Sequence, residues 1–155
     1  MPGGEAAGTE EDHMSVTSTL HLNLRGTAKE ALEFYQGVFG GDLVAVPYGD
    51  TPSGQSPGQA EQIAWGQVSA PSGFRVMAYD VQESKPYDQG QNPFYFALRG
   101  PDAEEITRYW NGLLPTAIDV EVPMGPSFFS PLYGKLTDRF GVIWIIDVEV
   151  PYDPS

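Results

Sequence analysis

Leu20-His21-Leu22-Asn23-Leu24-Arg25-Gly26 alternates apolar and polar residues and stops on glycine, the pattern of a strand with one buried face. The strand is read over residues 16–25. Thr27 follows as the expected cap of a helix whose apolar residues Ala31, Leu32, Phe34, Tyr35, Val38 and Phe39 recur at three- and four-residue spacing, and Gly40-Gly41 ends it. Outward from there, strands are expected over 43–48, 62–69 and 74–81, with 49–58 a long mobile loop and Pro71-Ser72-Gly73 a hairpin turn.

The second half repeats the plan. Phe94-Tyr95-Phe96-Ala97-Leu98-Arg99-Gly100 lies against the opening strand, and each is followed by a helix that begins with Ala and Glu and closes on aromatics, Phe34-Tyr35 in one case and Tyr109-Trp110 in the other. Gly73-Phe74-Arg75-Val76-Met77-Ala78-Tyr79 likewise matches Gly141-Val142-Ile143-Trp144-Ile145-Ile146-Asp147, at a spacing in the mid-seventies or slightly below. A strand, a helix and three more strands therefore occur twice. The fold class is α+β, a single domain over 16–150 built from halves at 16–82 and 92–150, with 151–155 a tail. Residues 1–15, rich in Gly, Ala and acid, read as a disordered leader, either a native acidic segment or a vector remnant ending at His13-Met14.

Composition narrows the chemistry. A chain of 155 residues has room for one core, and the absence of cysteine excludes disulfides, thiolate catalysis and cysteine zinc sites. No apolar run is long enough to span a membrane, and residues 1–13 lack the basic start and apolar stretch of a signal peptide, so a cytoplasmic protein is expected. With 8 Lys and Arg against 21 Asp and Glu, the net charge of −13 disfavours nucleic acid and favours a cationic ligand. No phosphate-binding glycine loop, nucleophile elbow or dinucleotide fingerprint occurs.

The run Ala31-Leu32-Glu33-Phe34-Tyr35-Gln36-Gly37-Val38-Phe39-Gly40-Gly41 resembles the helix-to-strand passage of the vicinal oxygen chelate superfamily, which includes glyoxalases, extradiol dioxygenases and bleomycin-resistance proteins. Tyr133-Gly134-Lys135-Leu136-Thr137-Asp138-Arg139-Phe140-Gly141-Val142-Ile143-Trp144 is similar to its PhnB-like branch, and the likeness extends over residues 16–150. The resemblance implies paired βαβββ modules, each curling a sheet around a cavity with its helix on the convex side. On that plan Leu20, Leu22 and Leu24 pack beneath the first helix, so His21, Asn23 and Arg25 face the cavity. Tyr95, Ala97, Arg99, Arg75, Met77, Tyr79, Ile143, Ile145 and Asp147 join them by parity and repeat, while Phe94, Phe96, Trp144 and Val148 are assigned to the core.

Metal-dependent members of the superfamily place ligands at positions that become His21, Met77, Tyr95 and Ile145. Only His21 is a usual ligand for a divalent first-row metal, since Met suits soft copper and an aliphatic side chain has no lone pair. Trp65 stands where the branch often has a histidine. The fold is therefore carried across without the chelating chemistry, and neither a metal nor another cofactor is expected.

The expected function is metal-independent binding of a small molecule in a cavity lined by His21, Asn23, Arg25, Arg75, Met77, Tyr79, Tyr95 and Ile145. His21 is the catalytic candidate, a general base on one reading and a cavity-wall histidine bonded to Asn23, a neighbouring strand or water on the other. Arg25 and Arg99, related by the repeat, are candidates to hold a carboxylate or phosphate, or else are strand ends that are solvated or paired with Glu30 or Glu104. The alternative is a lyase, isomerase or dioxygenase with a displaced metal held by His21 with Asp147 or Glu149; a third reading is an interaction module whose cavity is filled by its own aromatics. The apolar, Pro-rich stretch 123–133 is expected to be a pocket lid or the seam of a homodimer, and Asp138-Arg139-Phe140-Gly141 a tight turn into the last strand.

Overall fold

The computed structural model describes residues 16–52 and 57–151. The expected leader, the middle of the expected mobile loop and most of the expected tail lie outside the described residues. The first half forms β1 (Leu20–Leu24), α1 (Ala28–Phe39), β2 (Asp42–Pro47), β3 (Ile63–Ser69) and β4 (Arg75–Asp80). The second forms β5 (Phe96–Gly100), α2 (Ala103–Leu113), β6 (Asp119–Gly125), β7 (Tyr133–Thr137) and β8 (Ile143–Val148). Each half is a four-stranded mixed sheet of the same topology, β1-β4-β3-β2 and β5-β8-β7-β6, in which the first strand runs parallel to the last and the other pairs are antiparallel.

Alternation places the core. In β1 the side chains of Leu22 and Leu24 are buried while His21 and Asn23 are exposed, and β4 buries Val76 and Ala78 between the half-buried Arg75, Met77 and Tyr79. Ala28, Ala31, Leu32, Tyr35 and Phe39 turn one face of α1 onto this sheet, and Ile106, Tyr109, Trp110 and Leu113 do the same for α2. The two buried faces merge into one core through aromatic rings. Phe39 stacks on Phe74 at 3.8 Å, Phe96 on Trp144 at 4.4 Å, and Phe74 faces Phe96 at 5.7 Å, so first-half rings meet second-half rings across the junction. Such pairs contribute about 0.5–1.5 kcal/mol each beyond the area they bury.

Two buried carboxylates organise the turns. Asp80 Oδ1 accepts the backbone N–H groups of Gly26 at 2.6 Å and Ala28 at 3.1 Å, and Oδ2 accepts that of Ile63 at 2.8 Å. The start of α1 is thus capped from across the sheet by a charge suited to a helix N-terminus, and the expected cap by Thr27 is corrected, since its side chain makes no capping bond. Asp138 Oδ1 accepts from the N–H of Phe140 and Val142, and Oδ2 from Tyr35 Oη at 2.6 Å and Trp144 Nε1 at 2.9 Å. Burial, followed by the adjacent Asp138 charge, pushes the Tyr35 phenol well above its ordinary range. The expected tight turn is present: Gly141 N–H donates to Asp138 O at 3.0 Å, with Gly141 at φ 86°.

Other boundaries move. β1 begins at Leu20, leaving Val16 exposed on the approach to the sheet. β5 begins at Phe96, so Phe94, expected in the core, sits in the preceding linker at 48% exposure. Register adds a subtler correction. His21 pairs with Met77 in the first sheet, and the equivalent partner of Ile145 in the second is Ala97, two residues beyond Tyr95. Gly40 and Gly41, both at positive φ, end α1 as expected.

Candidate functional site

Linker 81–94 closes the open flank of β1 and creates a cavity of about 660 Å³. Its walls are Asn23 on β1, Tyr79 on β4, Tyr87 to Phe94 of the linker, and Gly141 to Ile143 at the entry to β8. Arg25 holds the linker in place: Nε donates to Val81 O at 3.3 Å and Nη2 to Gln82 O at 2.8 Å and to Lys85 O, with the guanidinium 5.5 Å from the Tyr87 ring centroid. Gln59, fully buried, adds Nε2 to Val81 O at 3.0 Å and accepts Glu83 N–H at 2.9 Å. Gln89 Nε2 donates to Phe140 O at 2.9 Å, tying the far end of the linker to the β7–β8 turn. Burial raises the Tyr87 phenol, with Arg25 opposing it.

The eight expected lining residues do not share one wall. Asn23 and Tyr79 line the linker cavity, and Arg25 sits on its flank, lining a smaller hollow of about 330 Å³ with Thr27 and Arg139. His21 stands beside this group: its Nδ1 lies 3.0 Å from Asn23 Oδ1, and its ring meets Tyr79 edge-on at 5.3 Å. Bonding to an amide oxygen favours the Nδ1–H tautomer, which leaves Nε2 as the proton acceptor. An amide orients the ring less strongly than a carboxylate would. Met77 lies between His21 and Gln67 on the uncovered face of the first sheet. Arg75 lines a different cavity, of about 480 Å³, between the start of β4 and the β5–α2 segment.

Tyr95 and Ile145 belong to the second sheet. The Tyr95 ring lies under Lys135 Nζ at 4.3 Å, and its hydroxyl bonds Asn92 Oδ1 at 3.2 Å. Lys135 also meets Glu121 at 3.1 Å, and this bond holds its ammonium above the usual lysine range. Ile145 pairs with Ala97 on one side and Lys135 on the other. Asp147 is buried and bound side-on by Arg99, Nε to Oδ1 at 2.9 Å and Nη2 to Oδ2 at 3.3 Å, and Glu149 lies 3.7 Å from the same guanidinium.

Those contacts decide how the metal positions fit. Of His21, Met77, Tyr95 and Ile145, one offers no lone pair, one is a thioether, and the phenol is bonded to an amide. Asp147 and Glu149 are turned to Arg99, and among the described residues no three of His, Asp and Glu gather closely enough to hold an ion. The donor set does not fit a divalent first-row metal.

The linker was not legible as a wall. Its Pro, Gly, Gln and Asn content reads as a connection between repeats, and Gln59 falls in a stretch whose composition signals only a loop. The stretch 123–133 lines neither the linker cavity nor that at Arg75. Ser130 is buried there, its hydroxyl 2.7 Å from Val148 O, while Phe128 is fully exposed. None of the described helices is long and apolar enough to cross a membrane.

A profile of the Glyoxalase/Bleomycin resistance protein/Dioxygenase superfamily matches residues 20–146. Protein YjdN of Escherichia coli (strain K12) is 26% identical over 137 residues, covering 83% of this chain and 92% of that protein. Protein PA1353 from Pseudomonas aeruginosa has a TM-score of 0.77 at 30% identity, covering 86% of this chain and 98% of its own. The PhnB protein from Bacillus cereus has a TM-score of 0.70 at 22% identity, covering 86% of this chain and all of its own, a likeness of fold.

Proposed function

This chain belongs to the glyoxalase/bleomycin resistance protein/dioxygenase superfamily, and from that premise we propose that it binds a small organic molecule, without a metal, in the linker cavity. The observation that carries the reading is the cleft itself: about 660 Å³, the size of a small-molecule site, between Asn23, Tyr79 and a linker pinned by Arg25, Gln59 and Gln89. The rings of Tyr79 and Phe94, the carboxylate of Asp88 and a net charge of −13 favour an aromatic cation.

Calorimetry with benzyltrimethylammonium tests this. Saturable binding weakened about tenfold in Tyr79→Ala, a loss of roughly 1.4 kcal/mol, is the expected result. Binding unaffected by Tyr79→Ala, or no binding, removes the assignment. Elemental analysis of protein purified without chelator should give less than about a tenth of a metal equivalent per chain. About one equivalent would instead restore a metal-dependent lyase, isomerase or dioxygenase.

The chain is further proposed to form a homodimer. Phe128 and Phe129 are exposed, their rings 5.3 Å apart, an apolar pair suited to a self-complementary seam. Light scattering should return twice the chain mass, and Phe128→Asp with Phe129→Asp should return the monomer. A wild-type monomer at micromolar concentration would refute the seam.

A further inference from the structure

The repeat points to Arg25 and Arg99 as anion-binding candidates, yet both are occupied within the chain, Arg25 by carbonyl oxygens and Arg99 by Asp147. Arg75 is placed differently. Its Nε is buried, and no described group accepts a hydrogen bond from it. Nor does any described carboxylate form an ion pair with Arg75, in a chain carrying 21 Asp and Glu. The guanidinium is thus left without a described partner, and such a group is built to grip two oxygens side by side.

Arg75 lines the cavity of about 480 Å³ where the start of β4 meets β5 and the entry to α2. Arg99 is part of the same lining, with its guanidinium held by Asp147. Glu105 is the carboxylate on that lining, and it already accepts from Tyr109 Oη at 2.6 Å. Ser72 adds a hydroxyl. We infer that this cavity is an oxyanion site, in which the Nη–H groups of Arg75 take the carboxylate or phosphate of a small molecule. Glu105 sets a limit on charge: a monocarboxylate or phosphate monoester is accommodated, whereas a polyphosphate is repelled. The site is separate from the linker cavity and does not depend on its being occupied.

The test follows the Arg75 Nε–Hε signal in the ¹⁵N-labelled protein, identified by its absence in Arg75→Lys, during titration with inorganic phosphate and with propionate at constant ionic strength set by chloride. A saturable shift of that signal with either anion, and binding weakened at least about fivefold in Arg75→Gln, is the expected result. Response to phosphate alone or to propionate alone supports the site and assigns its oxyanion. An unmoved Arg75 signal with both anions overturns the proposal, as does equal affinity in Arg75→Gln. Because the signal is read in wild-type protein, the result holds even where the variant folds poorly. Failure of benzyltrimethylammonium to bind would leave it untouched.

Discussion

Row for row, the two sheets are the same object carrying different chemistry. Leu22, Ala78 and Gly66 lie abreast in the first, as Leu98, Ile146 and Gly134 do in the second, and on the uncovered faces His21, Met77 and Gln67 correspond to Ala97, Ile145 and Lys135. The buried rows are all apolar or glycine, because both halves must seal onto the same core. The uncovered rows share no such constraint and differ, one carrying a histidine and an amide, the other aliphatics and a paired lysine. Function is therefore to be sought in the first sheet's open side and at the junction, where the halves are least alike.

Their buried carboxylates differ in the same instructive way. The Asp80 carboxylate accepts from backbone N–H groups of its own half, whereas Asp138 takes Tyr35 from the other half. Asp80 closes one half on itself; Asp138 joins the two. Asp138→Ala strands four donors in the interior and should cost on the order of 4 kcal/mol in urea denaturation, the largest effect expected of any single substitution. A double-mutant cycle sharpens the contrast. Tyr35→Phe with Asp138→Ala should show a coupling of about 1.5–3 kcal/mol, the range for a hydrogen bond to a charged group. Tyr48→Phe with Asp80→Ala should couple by less than about 0.5 kcal/mol, because Tyr48 Oη donates to the backbone carbonyl of Asp80, which survives the substitution. Equal couplings in the two cycles would erase the distinction.

What was legible in the sequence was what burial writes into it. Leu22 and Leu24, the helix ending at Gly40, and the turn at Gly141 follow from alternation, periodicity and backbone freedom, all local properties. The two-residue slip between Tyr95 and Ala97 was not legible, since moving a strand by two leaves every side chain on the same face and the apolar pattern unchanged. Leu-Arg-Gly before each helix then drew the alignment to the wrong pair, and Arg25 and Arg99 came to look equivalent when Arg99 occupies the row of Asn23. The roles of Asp138 and of the linker were hidden for another reason. Each depends on partners far along the chain, Tyr35 lying 103 residues before Asp138, and no local pattern records such a meeting.

The glycines of the buried rows give the smaller and finer test of equivalence. A Cβ on Gly134 would come within 2.6 Å of Trp110, against a rigid ring that is itself buried. A Cβ on Gly66 would come within 2.4 Å of Leu32 Cδ1, the far end of a side chain with rotamers to spare, although Ala78 O at 3.1 Å limits the relief. Neither glycine is at positive φ, so backbone strain does not enter, and alanine lowers the entropy of the unfolded chain equally at both sites. What remains is the neighbour's ability to yield. Gly134→Ala should cost about 2–3 kcal/mol and Gly66→Ala about 1–2 kcal/mol in paired urea melts. A cost at Gly66 equal to or above that at Gly134 would mean that the sheet backbone, rather than the helix side chain above it, sets the clearance. The two halves would then be packed alike after all.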